Sequence, residues 1–393
     1  MADNKRLYYA AYGVGIARNT ATGIVGYTTG WIPVSGLQSV GIDTSFNLDT
    51  VFQLGELELF DQPENLPAVE CTMEQVLCGA TLLSSLGTQG ATTGTLVGRF
   101  SNEQCNIAVG FWEDTVTVMG TGTGYTALPS GTCIMSGMYV NSINFNLPVD
   151  GNFTHSVTFV GNNKLWVLNT GVAGGAATGF FNPNNFGADI DSTGVRRRYN
   201  WNPTGSILPR SLAGVRPIGA FTGASGPVAA NTLPASGQSA TGEDGGYLPR
   251  IQSIQISTDF GRPEIFQLGR RAPYARYIDF PVEVTTTFEI INRAGDRVSA
   301  LDNTANLTNE PIIIGLNDGT IFDMGIKNKL TSVSDTGGDT GGGNRTTTYT
   351  YTSYNTLYIR DPKDIAGAAI TGQLLSTGGA NVAVAGTFSG PPT

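Results

Sequence analysis

One stretch of this chain occurs twice, and the repetition limits what the chain can fold into. Leu37 to Gly55 reads LQSVGIDTSFNLDTVFQLG and Ile251 to Gly269 reads IQSIQISTDFGRPEIFQLG. Aligned without a gap at an offset of 214 (251 − 37), the two are identical at 9 of 19 positions. An unrelated pair would share about one. Val40, Ile42, Thr44 and Phe46 in the first copy meet Ile254, Ile256, Thr258 and Phe260 in the second, and both sets alternate with smaller or polar residues. That period of two marks a strand with one buried face. Each strand runs on to Phe-Gln-Leu-Gly, where Gly55 and Gly269 permit a sharp exit. The chain therefore reads as a duplicated unit, and its function must work for two copies of that unit.

A second echo closes the unit. Gly151 to Val167 aligns without a gap to Gly343 to Ile359, at an offset of 192, with identities at 6 of 17 positions. Just before it, Asn141 to Asn146 pairs with Lys329 to Ser334 at an offset of 188, so a strand, a Gly/Asp turn and a strand form a hairpin in each copy. Between the echoes lie a long loop, Glu56 to Pro67 or Arg270 to Pro281, and an alternating strand, Ala68 to Leu77 or Val282 to Ile291. A short helix is expected in each copy, at Ala80 to Leu86 and at Asp296 to Asp302. The fall in offset gives the first copy an insertion of 26 (214 − 188), with strands expected at Ile107 to Trp112 and Thr115 to Met119. Arg6 to Ala17 reads as a strand or docking arm. The expected organisation is a first β domain over 1–170, a Gly/Pro/Asn-rich segment over 171–245, a second β domain over 246–362 and a C-terminal arm over 363–393. The fold class is all-β: two tandem β-sandwich or half-barrel domains, each mainly β with one short helix.

Composition narrows the function. Charged residues make up 13% of the 393, Gly reaches 53, and the net charge is −9. Low charge with many turn formers suits β-structure and subunits that bury surface in an assembly. An acidic chain is a poor phosphate-gripping nucleic-acid binder. No signal peptide or membrane segment is expected from the sequence. Cys71, Cys78, Cys105 and Cys133 show neither paired spacing nor nearby histidines, so free thiols are expected rather than a metal site or disulfides.

Catalytic constellations are missing from the pattern. The lone His155 sits in an alternating strand, opposite Thr347 of the other copy, and reads as a surface or interface residue. Asp335-Thr336-Gly337 and Asp339-Thr340-Gly341 share one loop, whereas an aspartic protease needs two aspartates facing each other from separate lobes. Neither an enzyme, a cofactor nor a metal is expected. The contrast that stands out is electrostatic. Eight acidic residues and no Lys or Arg occur from Asp43 to Glu74, including Glu56, Glu58, Asp61 and Glu64, while the matching loop of the second copy carries Arg270, Arg271 and Arg276. These residues, with the Arg196-Arg197-Arg198 triplet of the intervening segment, are the candidate inter-subunit contacts, acidic loop to basic loop.

The ordered features resemble bacteriophage tail tube proteins. The resemblance rests on the strand entering Val51-Phe52-Gln53-Leu54-Gly55, the long loop to Pro67, Val69-Glu70-Cys71-Thr72, Asn141 to Phe145 and Gly151 to Gly161. The second-copy equivalents also carry it, notably Phe280 to Thr285 and Tyr349 to Tyr351. It implies subunits whose strands join neighbours into an inner barrel, with sixfold rings that stack into a conduit for DNA ejection. With two units per chain, three chains would complete a pseudo-sixfold ring of the virion tail, assembled in the host cytoplasm with other tail proteins, away from membranes. DNA would pass through transiently without specific binding. The alternatives are another virion ring or decoration protein, or a carbohydrate-binding β-sandwich using Trp31, Trp166 and Trp201 as stacking platforms.

Overall fold

The computed structural model describes residues 12–18, 32–34, 36–55, 57–77, 83, 95–96, 104–111, 131–168, 212–215, 251–269, 273, 275–291, 312–316, 321–325, 327–337, 343–360, 371–375 and 381–387. The expected β character holds for nearly all of them. Four strands of the first copy, β1 (Leu37–Ser45), β2 (Ala68–Val76), β3 (Gly131–Pro148) and β4 (Thr154–Gly161), have four counterparts in the second. These are β5 (Ile251–Asp259), β6 (Glu283–Ile291), β7 (Lys329–Thr336) and β8 (Thr346–Tyr354). All eight run in one antiparallel sheet, in the order β1-β2-β4-β3-β5-β6-β8-β7. The order within the first copy is thus repeated in the second, and the two are joined through β3 and β5.

Alternation decides which face is buried. Val69, Cys71 and Met73 on β2, Val157 and Phe159 on β4, and Val284 and Phe288 on β6 all point into the core. Each such apolar side chain contributes about 1.5–3 kcal/mol by leaving water. Covering layers come from two places. In the first copy, Tyr12–Arg18, Cys105–Phe111 and Asn163–Leu168 build onto the N-terminal half of the long strand β3, which turns from one layer into the other around Gly137 (φ +66°). In the second, Ile313–Leu316, Ile321–Asp323 and Tyr358–Arg360 form a smaller sheet that also takes in Leu212–Val215 and Thr95–Leu96. The 171–245 segment therefore supplies a strand to the second copy. Phe145 of the first copy meets Phe322 of the second edge-on, ring centroids 4.8 Å apart, so one core runs through both.

The structure corrects the register of the repeat. Two bulges occur at matching places. Gln38 and Gln252 are the extra residues where β1 and β5 pair with β2 and β6; Asn141 and Thr331 are the extra residues where β3 and β7 pair with β4 and β8. Aligning the bulges gives an offset of 190 from β3 to β7 (331 − 141) in place of 188. From β2 to β6 the offset is 215 (289 − 74), because the loop before β6 is longer by one. The first copy's insertion accordingly falls from 26 to 25 (215 − 190). A two-residue slip leaves every side chain on its own face, which is why alternation alone did not expose it.

Other expectations meet different ends. His155 is buried, not at the surface: it lies against Phe145 (centroids 5.5 Å) on the face shared with Phe153, Val157 and Phe159. The expected helices lie outside the described residues except Leu83, which is helical and fully buried. The strand expected over Thr115 to Met119 also lies outside them. Cys71, Cys105 and Cys133 are buried and stand in no disulfide, and Cys78 lies outside the described residues. Burial pushes the Cys71 thiol up to about 12 and that of Cys133 to about 11, which keeps both protonated and unreactive.

Candidate functional site

The two copies are joined along an internal seam. β5 pairs with β3 from Ser253 opposite Pro148 to Asp259 opposite Ser142. Ile254, Ile256, Thr258 and Phe260 close over the joint and are buried. Beyond the last pair, the bulge residue Asn141 takes over: its carbonyl accepts from the Phe260 N–H (2.7 Å) and its Oδ1 from the Arg262 N–H (3.2 Å). Arg262 then crosses the seam. Its Nε donates to the Val140 carbonyl (2.9 Å), and its guanidinium lies 5.4 Å from the Tyr139 ring centroid and 5.6 Å from that of Phe260. Burial, reinforced by the nearby Arg276 cation, lowers its pKa to about 10, so it stays charged at neutral pH. Its two terminal nitrogens are buried without partners.

The loop after β5 is bolted to the first copy. Glu264–Ile265 and Ala275–Arg276 form a short hairpin, and Arg276 is buried in an ion pair with Glu264. Asn162, just past β4, accepts from Arg276 Nη2 (3.1 Å). Its amide also donates to Glu264 Oε1 (2.9 Å) and to the Pro67 carbonyl (2.9 Å). Arg276, read from sequence as an inter-subunit contact, is thus engaged within its own chain. The charge pattern gave no sign that Glu264 faces it across a hairpin.

The sheet ends in β1 on one side and β7 on the other. Among the described residues β1 pairs only with β2, and β7 only with β8. The counterparts of the seam residues are exposed there. Phe46 is 69% exposed where Phe260 is 0%, and Val40, Ile42 and Thr44 are half-buried where Ile254, Ile256 and Thr258 are buried. At the other end, Tyr354 (55% exposed) takes the place that Asn162 holds in the first copy.

Two hairpins project from the same side of the repeat. The first, Val51–Phe52 with Leu59–Asp61, exposes Phe52, Leu54, Leu57 and Phe60; the second exposes Phe266 and Leu268. Gly55 and Gly269 at their tips have φ of +93° and +84°, the left-handed geometry expected of the repeated Phe-Gln-Leu-Gly. Glu58, Asp61 and Glu64 lie exposed in the first loop. Glu56, Arg270, Arg271, Arg196, Arg197 and Arg198 lie outside the described residues, as do Trp31 and Trp201. Trp166 is tilted against Phe111, centroids 5.7 Å apart. The groove beside β7, between Glu283, Thr285, Lys327, Lys329, Thr350 and Tyr354, is open.

No sequence family and no curated protein matches this chain. Among solved structures it is similar to a chain of the anti-feeding prophage baseplate (7% identity, TM-score 0.28, 40% of this chain and 93% of that one). It is also similar to the tube-terminating cap of the same particle (10%, 0.30, 43% and 95%). A third similarity is to the sheath–tube complex of an extracellular contractile injection system in the extended state (12%, 0.29, 42% and 92%).

Proposed function

We propose that this chain is the structural subunit of a phage tail tube, joining edge to edge into rings that stack into a conduit for DNA. The observation that carries the reading is the repeated strand order with unlike open ends. A sheet that already joins β3 to β5 inside the chain offers a β5-like edge, β1, at one end and a β3-like edge, β7, at the other. Such an interface is head-to-tail, and copies joined by it form a ring when the rotation closes. Exposed edge strands are normally blunted against pairing; in a polymer they are the bond. Three chains would supply six units.

Charge supports the conduit. The eight strands carry Asp43, Glu70, Glu74, Asp259, Glu283, Glu289 and Asp335 against Lys329 as the one Lys or Arg. Apart from Asp335, which pairs with Arg345, these acids stand on the face turned away from the core. A bore lined by that face repels phosphates and lets a duplex slide. The apolar hairpin tips supply ring-to-ring contacts.

Negative-stain microscopy of the purified chain tests this. Stacked tubes of constant bore, with three chains per ring, are the expected result. Six chains per ring would refute the stoichiometry alone, unstacked rings would indicate another ring component of the particle, and discrete monomers would refute assembly through the edges.

A further inference from the structure

The internal seam and the open edges together define the joint between chains residue by residue. We infer that β1 of one chain pairs antiparallel with β7 of the next, with Asp43 opposite Ser334 and Ser45 opposite Ser332. In this joint Phe46 and Leu48 of one chain are buried against Lys329, Leu330 and Tyr354 of the other. The inference rests on the ring reading above and adds to it a register and a chemistry.

The register follows from the two copies. In the internal seam Ser257 lies opposite Asn144 and Asp259 opposite Ser142. The paired bulges fix the offsets: 214 between β1 and β5, and 190 between β3 and β7. Subtracting the first from Ser257 and Asp259, and adding the second to Asn144 and Ser142, gives Asp43 with Ser334 and Ser45 with Ser332. The bulge supports the transfer. Thr331 stands where Asn141 stands, so its carbonyl is placed to accept the Phe46 N–H. Its hydroxyl, which donates to the Thr350 carbonyl (3.0 Å), keeps lone pairs for the Leu48 N–H, as Asn141 Oδ1 serves Arg262.

The chemistry differs at every charged position of the internal seam. Arg262 becomes Leu48 (46% exposed), Glu264 becomes Thr50, Arg276 becomes Gln62 and Asn162 becomes Tyr354. Tyr139, under the Arg262 guanidinium, becomes Lys329, whose aliphatic stem can lie along Phe46. The charged residues of the internal clasp are thus replaced at the open ends by uncharged ones. Polar groups locked in place suit a joint made once, during folding. A joint with fewer buried charges suits surfaces that must meet from solution, since fewer ions lose their water.

One competing register keeps the faces in phase. A two-residue slip sets Asp43 opposite Ser332 and Ile42 opposite Val333, a better apolar match but one that leaves the Thr331 bulge without its partners. Cysteine pairs separate the two, since directly opposed residues in an antiparallel pair lie within disulfide reach. Full-length chains carrying Asp43→Cys with Ser334→Cys, or Asp43→Cys with Ser332→Cys, are assembled, oxidised mildly and run on non-reducing gels beside the single substitutions and the parent. The expected result is a covalent ladder reaching three chains from the first pair, at least tenfold stronger than from the second. A ladder from the second pair, or equal ladders, overturns the register while leaving the ring reading in place. Rings visible by microscopy with no ladder from either pair show that the chains join through other surfaces and overturn the inference. A parent chain that forms no assembly at all overturns both.

Discussion

Phe46 and Phe260 occupy the same place in the two copies and should fail in different ways when truncated. Phe260→Ala empties a fully buried site at the internal seam and should cost the isolated chain about 3–5 kcal/mol of folding stability. Phe46 is 69% exposed and contributes little to the lone chain. A phenylalanine buries roughly 200 Å², so covering the exposed part at a chain–chain joint removes about 140 Å² from water, worth about 3.5 kcal/mol at about 25 cal/mol per Å². Truncation to alanine keeps the Cβ and lets neighbours relax, leaving a loss of about 2–3 kcal/mol per joint, or roughly 30- to 150-fold in its equilibrium constant. The assays are urea unfolding of the unassembled chain at low concentration, and the critical concentration for polymerisation by light scattering. Phe46→Ala should leave the first nearly unchanged and raise the second at least tenfold. A critical concentration within twofold of the parent, or a folding loss equal to that of Phe260→Ala, would refute the reasoning.

Four further outcomes are expected. Burial lowers the His155 pKa from 6.5 to about 4, so the unfolded chain binds the extra proton first. Stability is full above pH 6.5 and falls by about 3 kcal/mol as the pH drops to 4; acid titration of unfolding should show this slope, and His155→Leu should lack it. Arg262→Leu, which installs the residue of the first copy and removes two unpartnered buried nitrogens, should change folding stability by no more than about 1 kcal/mol, and a urea midpoint implying a loss above about 3 kcal/mol would make the guanidinium the main bond of the seam. Gly269→Val meets no neighbouring atom but forces a β-branched residue to φ +84°, a strain of about 1–3 kcal/mol that should slow tube growth measured by turbidity. Reversing Arg270 and Arg271 to glutamate should slow assembly at low salt, with recovery on adding Glu56→Arg and Glu58→Arg; equal rates across a salt series would remove the loop pairing.

The β character and the buried strand faces were legible because alternation survives divergence on the core side. What misled was local. Phe145 has Asp335 as its true counterpart, and an eye matching apolar residues sets Phe145 on Val333 instead, two positions away. His155 shares its parity with Phe153, Val157 and Phe159, a signal of burial that its polar character masked. The Arg276–Glu264 ion pair was not visible because the partners lie twelve positions apart and only a hairpin brings them together. The asymmetry between the two kinds of seam was hidden for a different reason. Exposure of Phe46 and Leu48 acquires meaning only when the burial of Phe260 and Arg262 can be set beside it.

The fusion of two units through one sheet and one core also sets a parity rule. A ring closed by such chains contains an even number of units, because no chain can enter by half. A ring of separate units can err by gaining or losing one, a small change in curvature at each joint. In the proposed ring the nearest wrong closures would differ by two units, and each joint between chains would have to bend farther to accommodate them. In such a ring the tandem connection would act as a proofreading device for diameter: it would make the nearest mistakes unreachable and the remaining ones harder to form. A tube in which every ring must match the bore of the last gains uniformity from a covalent link that no neighbouring chain has to supply.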